Sequence, residues 1–200
     1  AARLSLEHAL QEARNYGILG DGQDFDLEVF TGHGSYICGE ESAMLLSIEG
    51  RRPEVAARPP YPTEHGLFGQ PTVTNNVETF ACVPWIIRNG SEAYHVMGFS
   101  RSRGTKLVSL NSLFNRPGLY EVEFGVPLRM IVEEIGGGLR EDHLKGVIVG
   151  GPLAGIIPPE LLDTRFGFEE LAAIGASVGH GGIIAFDEHT SIAALVRHVF

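Results

Sequence analysis

The sequence predicts an α/β fold in two unlike parts, and three observations carry that prediction. Phe25 to Phe30 (F-D-L-E-V-F) alternates apolar and acidic residues as a half-buried strand does. The run meets Gly32, Gly34 and Gly39, after which Ala43, Leu45, Leu46 and Ile48 interleave with Glu41, Ser42 and Glu49 at helical spacing. That stretch reads strand, glycine turn, helix. Beyond a short polar link at Arg101–Gly104, two alternating runs flank an N-R-P-G turn and lead into a helix and further strands.

Composition narrows the class. Of 200 residues, 44% are apolar and 20% charged, the balance of a globular chain large enough for one sizeable domain or two small ones. A formal net charge of −10 argues against nonspecific nucleic-acid binding and against attraction to anionic lipid, both of which need a basic surface. No apolar run approaches the roughly eighteen residues that cross a bilayer. Ala1–Leu10 carries Arg3, Glu7 and His8, unlike a signal peptide. Cys38 and Cys82 form no C-x-x-C pair and are too few for a disulfide framework or a four-thiolate cluster. Both read as reduced thiols of a cytoplasmic-type compartment; Cys38 is either a small buried hydrophobe or a redox-sensitive thiol.

In chain order, Ala1–Asn15 is a helix by the spacing of Leu4, Ala9, Leu10 and Ala13, with Gly17 and Gly20 as its stop. Gly50–Gly69, rich in Pro, Arg and Gly, is an extended surface loop. A helix over Phe80–Asn89 follows Asn75 and Asn76, and Trp85 reads as core. Lys106–Leu110 and Leu119–Phe124 form a hairpin, Leu128–Ile135 a helix with Pro127 in its first turn, Val147–Val149 and Ile183–Phe186 further strands, and Phe168–Ile174 a short helix. Hairpin, helix, then strands is the order of a β-grasp domain. Gly150–Gly155 (G-G-P-L-A-G) lacks the Lys-Ser/Thr of a phosphate loop and reads as a turn. His143, His180 and His189 have no metal-ligand spacing; His180, in S-V-G-H-G-G, is placed to touch a partner or a cofactor edge. Ser191–Phe200 is a last helix, with Asp187–Thr190 before it. A chain that begins and ends inside helices looks cut from a longer one.

Glu40 and Glu41 open the helix after the glycine turn, where unpaired amides and the helix dipole favour carboxylates and electron-rich ligands. By themselves they are equally ordinary helix starters. Taken together, G-x-G-x-Y-x-x-G-E-E at Gly32–Glu41, R-P-P-Y-P at Arg58–Pro62 and P-T-V-T-N-N-V-E-T at Pro71–Thr79 resemble the FMN- and NADH-binding flavoprotein subunit of respiratory complex I. The same subunit type occurs in NAD-reducing hydrogenases and NAD-dependent formate dehydrogenases. The resemblance covers essentially the whole chain. It implies the later part of a Rossmann-like FMN/NADH-binding domain over residues 1–100, a β-grasp domain of the soluble-ligand-binding type over 101–188, and the first helix of an iron-sulfur helical domain over 189–200.

The resemblance also implies roles. Tyr36, Gly39, Glu40 and Glu41 would wall a pocket for FMN and NAD(H), with Glu40 at the FMN and Glu41 near the nicotinamide. Asn75, Asn76 and Thr79 would line the FMN from the other side. Arg58 would meet a dinucleotide phosphate and Tyr61 would stack on adenine, where the family usually has Lys and Phe; otherwise this segment is a proline-stiffened strap. The activity implied is hydride transfer between NAD(H) and FMN, with electrons passed on to iron-sulfur clusters, and no residue of this chain needed as a proton donor. A 4Fe-4S cluster would belong to sequence beyond Phe200, and the partners would be other subunits of an NAD-linked redox complex. The competing reading is a docking or ligand-binding module built on the β-grasp part, and bound flavin distinguishes the two.

Overall fold

The computed structural model describes residues 2–32, 34–140, 143–152 and 154–199. The expected helix start at Ala1, its counterpart end at Phe200, and Leu153 of the G-P-L-A-G turn lie outside the described residues. Contacts divide the chain into two units, residues 1–80 and 81–200. Arg101–Gly104 falls inside the second unit, where Ser102 is fully buried.

The first unit opens with helix α1 (Ala2–Asn15). Arg14, in its last turn, donates to the Asp26 carboxylate at 3.1 Å and to the Leu27 carbonyl at 2.9 Å. The run Phe25–Phe30 belongs to no helix and to no sheet among the described residues, and Phe25, Leu27 and Phe30 are exposed. Alternation supplies two faces, but a sheet strand also needs a neighbour for its N–H and C=O groups. A tight helical turn at Tyr36–Gly39 leads to helix α2 (Glu41–Ile48), which buries Ala43, Leu45 and Ser47. The helix stops where Gly50, at φ +74°, lets the amides of Gly50 and Arg51 turn back to the carbonyls of Ser47 and Leu46. Residues 50–66 then run without regular structure, as expected, to a tight turn at Leu67–Gly69.

Helix α3 (Val77–Asn89) starts earlier than its apolar spacing suggests. Asn76 caps it, its side-chain oxygen accepting from the Glu78 amide at 2.7 Å. Trp85 is half-buried, its ring 6.2 Å from that of Tyr94 on helix α4 (Ser91–His95), while Val83 and Ile87 are exposed.

The second unit continues with a small antiparallel pair, β1 (Gly98–Phe99) and β2 (Ser102–Arg103). Ser102 accepts from the Phe168 amide and so holds the start of helix α5 (Phe168–Ala173). The main sheet has five strands: β3 (Thr105–Leu110), β4 (Gly118–Glu123), β5 (Leu144–Val149), β6 (Ile156–Ile157) and β7 (Gly182–Asp187). Their spatial order is β4-β3-β7-β5-β6, with β7 parallel to β3 and every other neighbour antiparallel. The sheet is therefore mixed. The side chain of Asn111 continues the short parallel pairing, exchanging two hydrogen bonds with the backbone of Ala185.

One core serves this unit. Val108, Leu110, Val122, Val147, Val149, Ile183 and Ala185 from the sheet meet Phe114, Leu128, Ile131, Leu162, Phe166 and Leu171, all buried. The segment expected as an ordinary helix over Leu128–Ile135 is wider-wound across Met130–Ile135 and closes with the Gly136 amide on the Ile131 carbonyl, five residues back. Gly136 lies against Phe114, where a Cβ would collide with the ring. Helix α6 (Ile192–Val199) follows an Asp187 carboxylate that accepts from both the amide and the hydroxyl of Thr190.

Candidate functional site

The geometry of the first unit converges on the start of α2. Glu40 stands at the helix N-cap in extended conformation, and its Oε2 accepts from the Ala43 amide at 3.0 Å. The first turn of a helix needs acceptors for its unpaired amides, and here a long carboxylate meets that need instead of the usual short side chain. The same oxygen accepts from the Ser42 hydroxyl at 2.5 Å. Ser42 in turn accepts from the Ala56 amide at 2.9 Å and so ties the following loop to the helix.

Arg58, further along that loop, closes the arrangement. Its Nη2 lies 2.6 Å from Glu40 Oε1 and 2.7 Å from Glu41 Oε1. Glu41 uses its other oxygen to accept from the Thr74 hydroxyl at 2.7 Å. Each carboxylate thus has a hydroxyl of its own, and the two share one guanidinium. The formal charges, two negative and one positive, leave a single negative charge on the cluster. Side-chain exposures of 26% for Glu40, 32% for Glu41 and 39% for Arg58 put the cluster at the surface but not fully in water. The Ser42 hydroxyl, followed by the Ala43 amide and Arg58, holds the Glu40 carboxyl below the usual carboxylate range, against an opposing effect of partial burial.

The expected site residues divide into two groups. Gly39, Glu40, Glu41 and Arg58 meet at the α2 N-terminus. The Thr74 bond brings the segment that carries Asn75, Asn76 and Thr79 to the same helix end, and all three of those side chains are exposed. Asn76 is the cap of α3, so its side-chain oxygen is already engaged by backbone. Tyr36 is 76% exposed and Tyr61 53% exposed; neither is packed into a wall. Arg58, expected on a phosphate, is occupied by the two glutamates.

Sequence reasoning missed Ser42, Thr74 and the Ala56 amide. Ser42 had a local signal, a hydroxyl two residues after an N-cap acid. Thr74 had none, since its partner lies 33 positions away.

A cavity of about 520 Å³ lies between α2 and the loop, walled by Leu45, Leu46, Ala57, Pro60 and Phe68. Ser42 and Arg58 are the residues it shares with the acidic cluster; Glu40, Glu41, Asn75 and Asn76 do not line it. The acids and amides are therefore better placed for a ligand lying over the helix end than for one inside this hollow. Cys38 and Cys82 are both half-buried free thiols. Among the described residues no group of three or more His, Cys, Asp or Glu is placed to hold a metal ion, and no helix is long and apolar enough to cross a membrane.

Comparison with known proteins gives a consistent result. Residues 1–85 match the family model of the Nuo51 FMN-binding domain. The chain is 42% identical over 200 residues to an NADH-quinone oxidoreductase subunit of Rhizobium meliloti (strain 1021), covering 97% of this chain and 48% of that protein. It is 39% identical over 198 residues to the NADP-reducing hydrogenase subunit HndC of Solidesulfovibrio fructosivorans, covering 96% and 40% respectively. Among solved structures, an NAD+-reducing NiFe-hydrogenase in the H2-reduced state superposes with a TM-score of 0.83 at 34% identity, over 97% of this chain and 32% of that one. The chain spans less than half the length of these relatives.

Proposed function

We propose that the chain, similar over nearly all of its length to NADH-quinone oxidoreductase and NAD+-reducing hydrogenase subunits, is a member of their FMN- and NADH-binding flavoprotein family and forms part of a diaphorase subunit exchanging hydride between NAD(H) and FMN. The observation that carries this reading is the cluster at the α2 N-terminus, where hydrogen bonds from Arg58 and Thr74 draw two separated segments to one acid pair. The donor set fits the groups concerned. Carboxylates suit ribose and ribityl hydroxyls or a carboxamide, a guanidinium suits a phosphate, and exposed amides suit either a phosphate or a polyol.

Glu40, Glu41, Tyr36 and Gly39 would hold the ligands from the α2 side, and Asn75, Asn76 and Thr79 from the α3 side. Arg58 and Tyr61 would meet the dinucleotide. FMN, when bound, would supply the chemistry that links two-electron hydride exchange to the single-electron transfer that iron-sulfur clusters accept. The protein's part is to orient the ring systems and fix the charge beside them. Glu40, kept ionised by its three donors, serves as an acceptor and not as an acid.

The domain plan we propose is the later part of a Rossmann-like FMN/NADH-binding domain over 1–100, a β-grasp domain over 101–188 and the first helix of a helical iron-sulfur domain over 189–200. For the β-grasp domain the support is the strand order second, first, fifth, third, fourth, with first and last strands parallel in the middle. Partners would be other subunits of an NAD-linked redox complex, and the location cytoplasmic or on the cytoplasmic or matrix face of a membrane complex.

The test is to purify the protein within its native complex and record its visible spectrum before and after anaerobic NADH. Flavin absorbance that bleaches on NADH is the expected result. A colourless protein that acquires no flavin when FMN is supplied leaves the docking reading in its place.

A further inference from the structure

We propose that the hollow between α2 and the loop after it is a binding site for a small amphipathic anion, an apolar ring or short chain that carries one carboxylate or similar oxyanion. Ser42, Leu45, Leu46 and Glu49 stand at i, i+3, i+4 and i+7, so they share one face of α2 and its C-cap, and all four line the hollow. The polar residues at the two ends of that face fasten the loop. The Ser42 hydroxyl accepts from the Ala56 amide at 2.9 Å, and Glu49 Oε1 accepts from the Phe68 amide at 2.7 Å. Between these pins the loop arches over Leu45 and Leu46. Its walls there include Ala57, a short side chain, and Pro60 and Pro62, whose fixed φ stiffens the arch. About 520 Å³ is left open, within the range of roughly 300–1,000 Å³ found for small-molecule sites.

Phe68 points to an occupant. It walls the hollow yet is 69% exposed, and its backbone holds the left-handed conformation, φ +50°, that bulky residues seldom adopt. A ring held beside a cavity at that cost is buried once an apolar body fills the space. Charge selects the sign of the ligand. Arg51, Arg58 and His65 on the walls can each be positive, while the one acid, Glu49, is engaged by the Phe68 amide and by Arg51. Arg58 is already shared by two carboxylates, so the anionic group belongs at Arg51. The Arg51 side chain is 69% exposed, and its 3.4 Å contact with Glu49 uses one of the five N–H donors of a guanidinium.

The experiment uses the complete protein in its native complex, photolabelled with 4-(trifluoromethyl-diazirinyl)benzoate and mapped by mass spectrometry of its peptides. Saturable adducts are expected on the segments bearing Leu45–Leu46 and Ala57–Phe68, and excess 1-naphthoate should suppress them. Arg51→Gln should raise the half-saturating concentration about fivefold, the size of one exposed ion contact. The benzyl alcohol with the same diazirine should label the native protein as weakly as the benzoate labels Arg51→Gln. Leu46→Trp and Ala57→Phe, which fill the hollow from the helix side and the loop side, should each abolish the labelling. Adducts that never saturate, or that persist undiminished in both filling variants, overturn the proposal. Native protein with no adduct on either segment also overturns it, because other parts of the protein would then fill the hollow. Equal affinity for the alcohol and the benzoate rules out an anion and overturns it too. None of these readings depends on bound flavin, so they are separate from the functional reading above.

Discussion

Replacing Thr74 by Val removes the hydrogen bond that ties the α2 acids to the segment carrying the amide pair. The substitution keeps the volume and β-branching and deletes the hydroxyl that donates to Glu41 Oε2 at 2.7 Å. A hydrogen bond to a charged acceptor contributes about 1.5–3 kcal/mol net. The Glu41 side chain is 32% exposed, so water can replace part of the lost donor, and the lower end of that range applies. About 1.5 kcal/mol corresponds to about tenfold in an equilibrium constant.

The loss falls on ligand binding more than on global stability. Residues 71–76 lack helix or strand pairing of their own, and the Thr74 bond fixes them to α2 just before Asn75. FMN affinity, read by quenching of flavin fluorescence on titration into the deflavinated complex, should fall about tenfold in Thr74→Val. Thr74→Ser keeps the hydroxyl and should bind FMN within about twofold of native. Native FMN affinity in Thr74→Val would refute the idea that this bond assembles the site. A Thr74→Ser variant as weak as Thr74→Val would show that the methyl group, by packing, is what counts.

Glu41→Gln should weaken NAD+ binding by about fivefold through loss of a charge, leaving FMN bound; calorimetry and the flavin spectrum check the two halves. The Glu40 carboxyl has a folded pKa below its ordinary value, so its contribution to stability is present above the usual glutamate range and is lost as pH falls through that lower value. The difference in thermal midpoint between native protein and Glu40→Gln should accordingly be largest near neutrality and shrink below about pH 4. Phe166→Ala, which empties a fully buried site stacked 5.5 Å from Phe124, should destabilise the second unit by about 3–5 kcal/mol, measured by urea unfolding. Gly181→Ala should weaken the same unit, because Gly181 sits at φ +84° with the Leu107 carbonyl where a Cβ would go. The urea midpoint checks that loss as well.

The second unit was largely legible in the sequence because its signals are local. Val108, Leu110 and Val122 alternate with exposed neighbours, and N-R-P-G marks the hairpin turn. β6 escaped notice because a two-residue strand has no period to detect. The wide winding of Met130–Ile135 is also invisible in spacing, since the same apolar positions suit either winding. In the first unit, F-D-L-E-V-F has a strand's alternation and no strand's pairing, which only a neighbouring strand can supply. The place of the acid pair after the glycine turn is legible, but from that place alone it is equally an ordinary helix start; its role comes from the resemblance of the combined motifs, and its partners are not legible. The resemblance puts Arg58 on a dinucleotide, but nothing in the sequence marks the two acids that it also meets, and Ser42 and Thr74 look like any other hydroxyls.

The two units hold their geometry by different physics. The second is organised by a continuous core in which Phe114, Leu128, Ile131, Phe166 and Leu171 are fully buried. In the first, the buried apolar residues among those described are Leu19, Ala43 and Leu45, while Phe25, Phe30, Tyr36, Val73 and Val77 are exposed. Its site is held by directional polar contacts: Glu40 to Ser42 and Ala43, Ser42 to Ala56, Arg58 to both acids, Thr74 to Glu41. Apolar packing spreads the cost of lost volume over many neighbours that partly relax, whereas a chain of single hydrogen bonds transmits the loss of one member to the next. The placement of Glu41 over the helix end therefore depends on Thr74 more than on anything behind α2, and its charge is balanced by Arg58. That dependence is why removing one hydroxyl or one charge here should alter ligand binding without unfolding the chain.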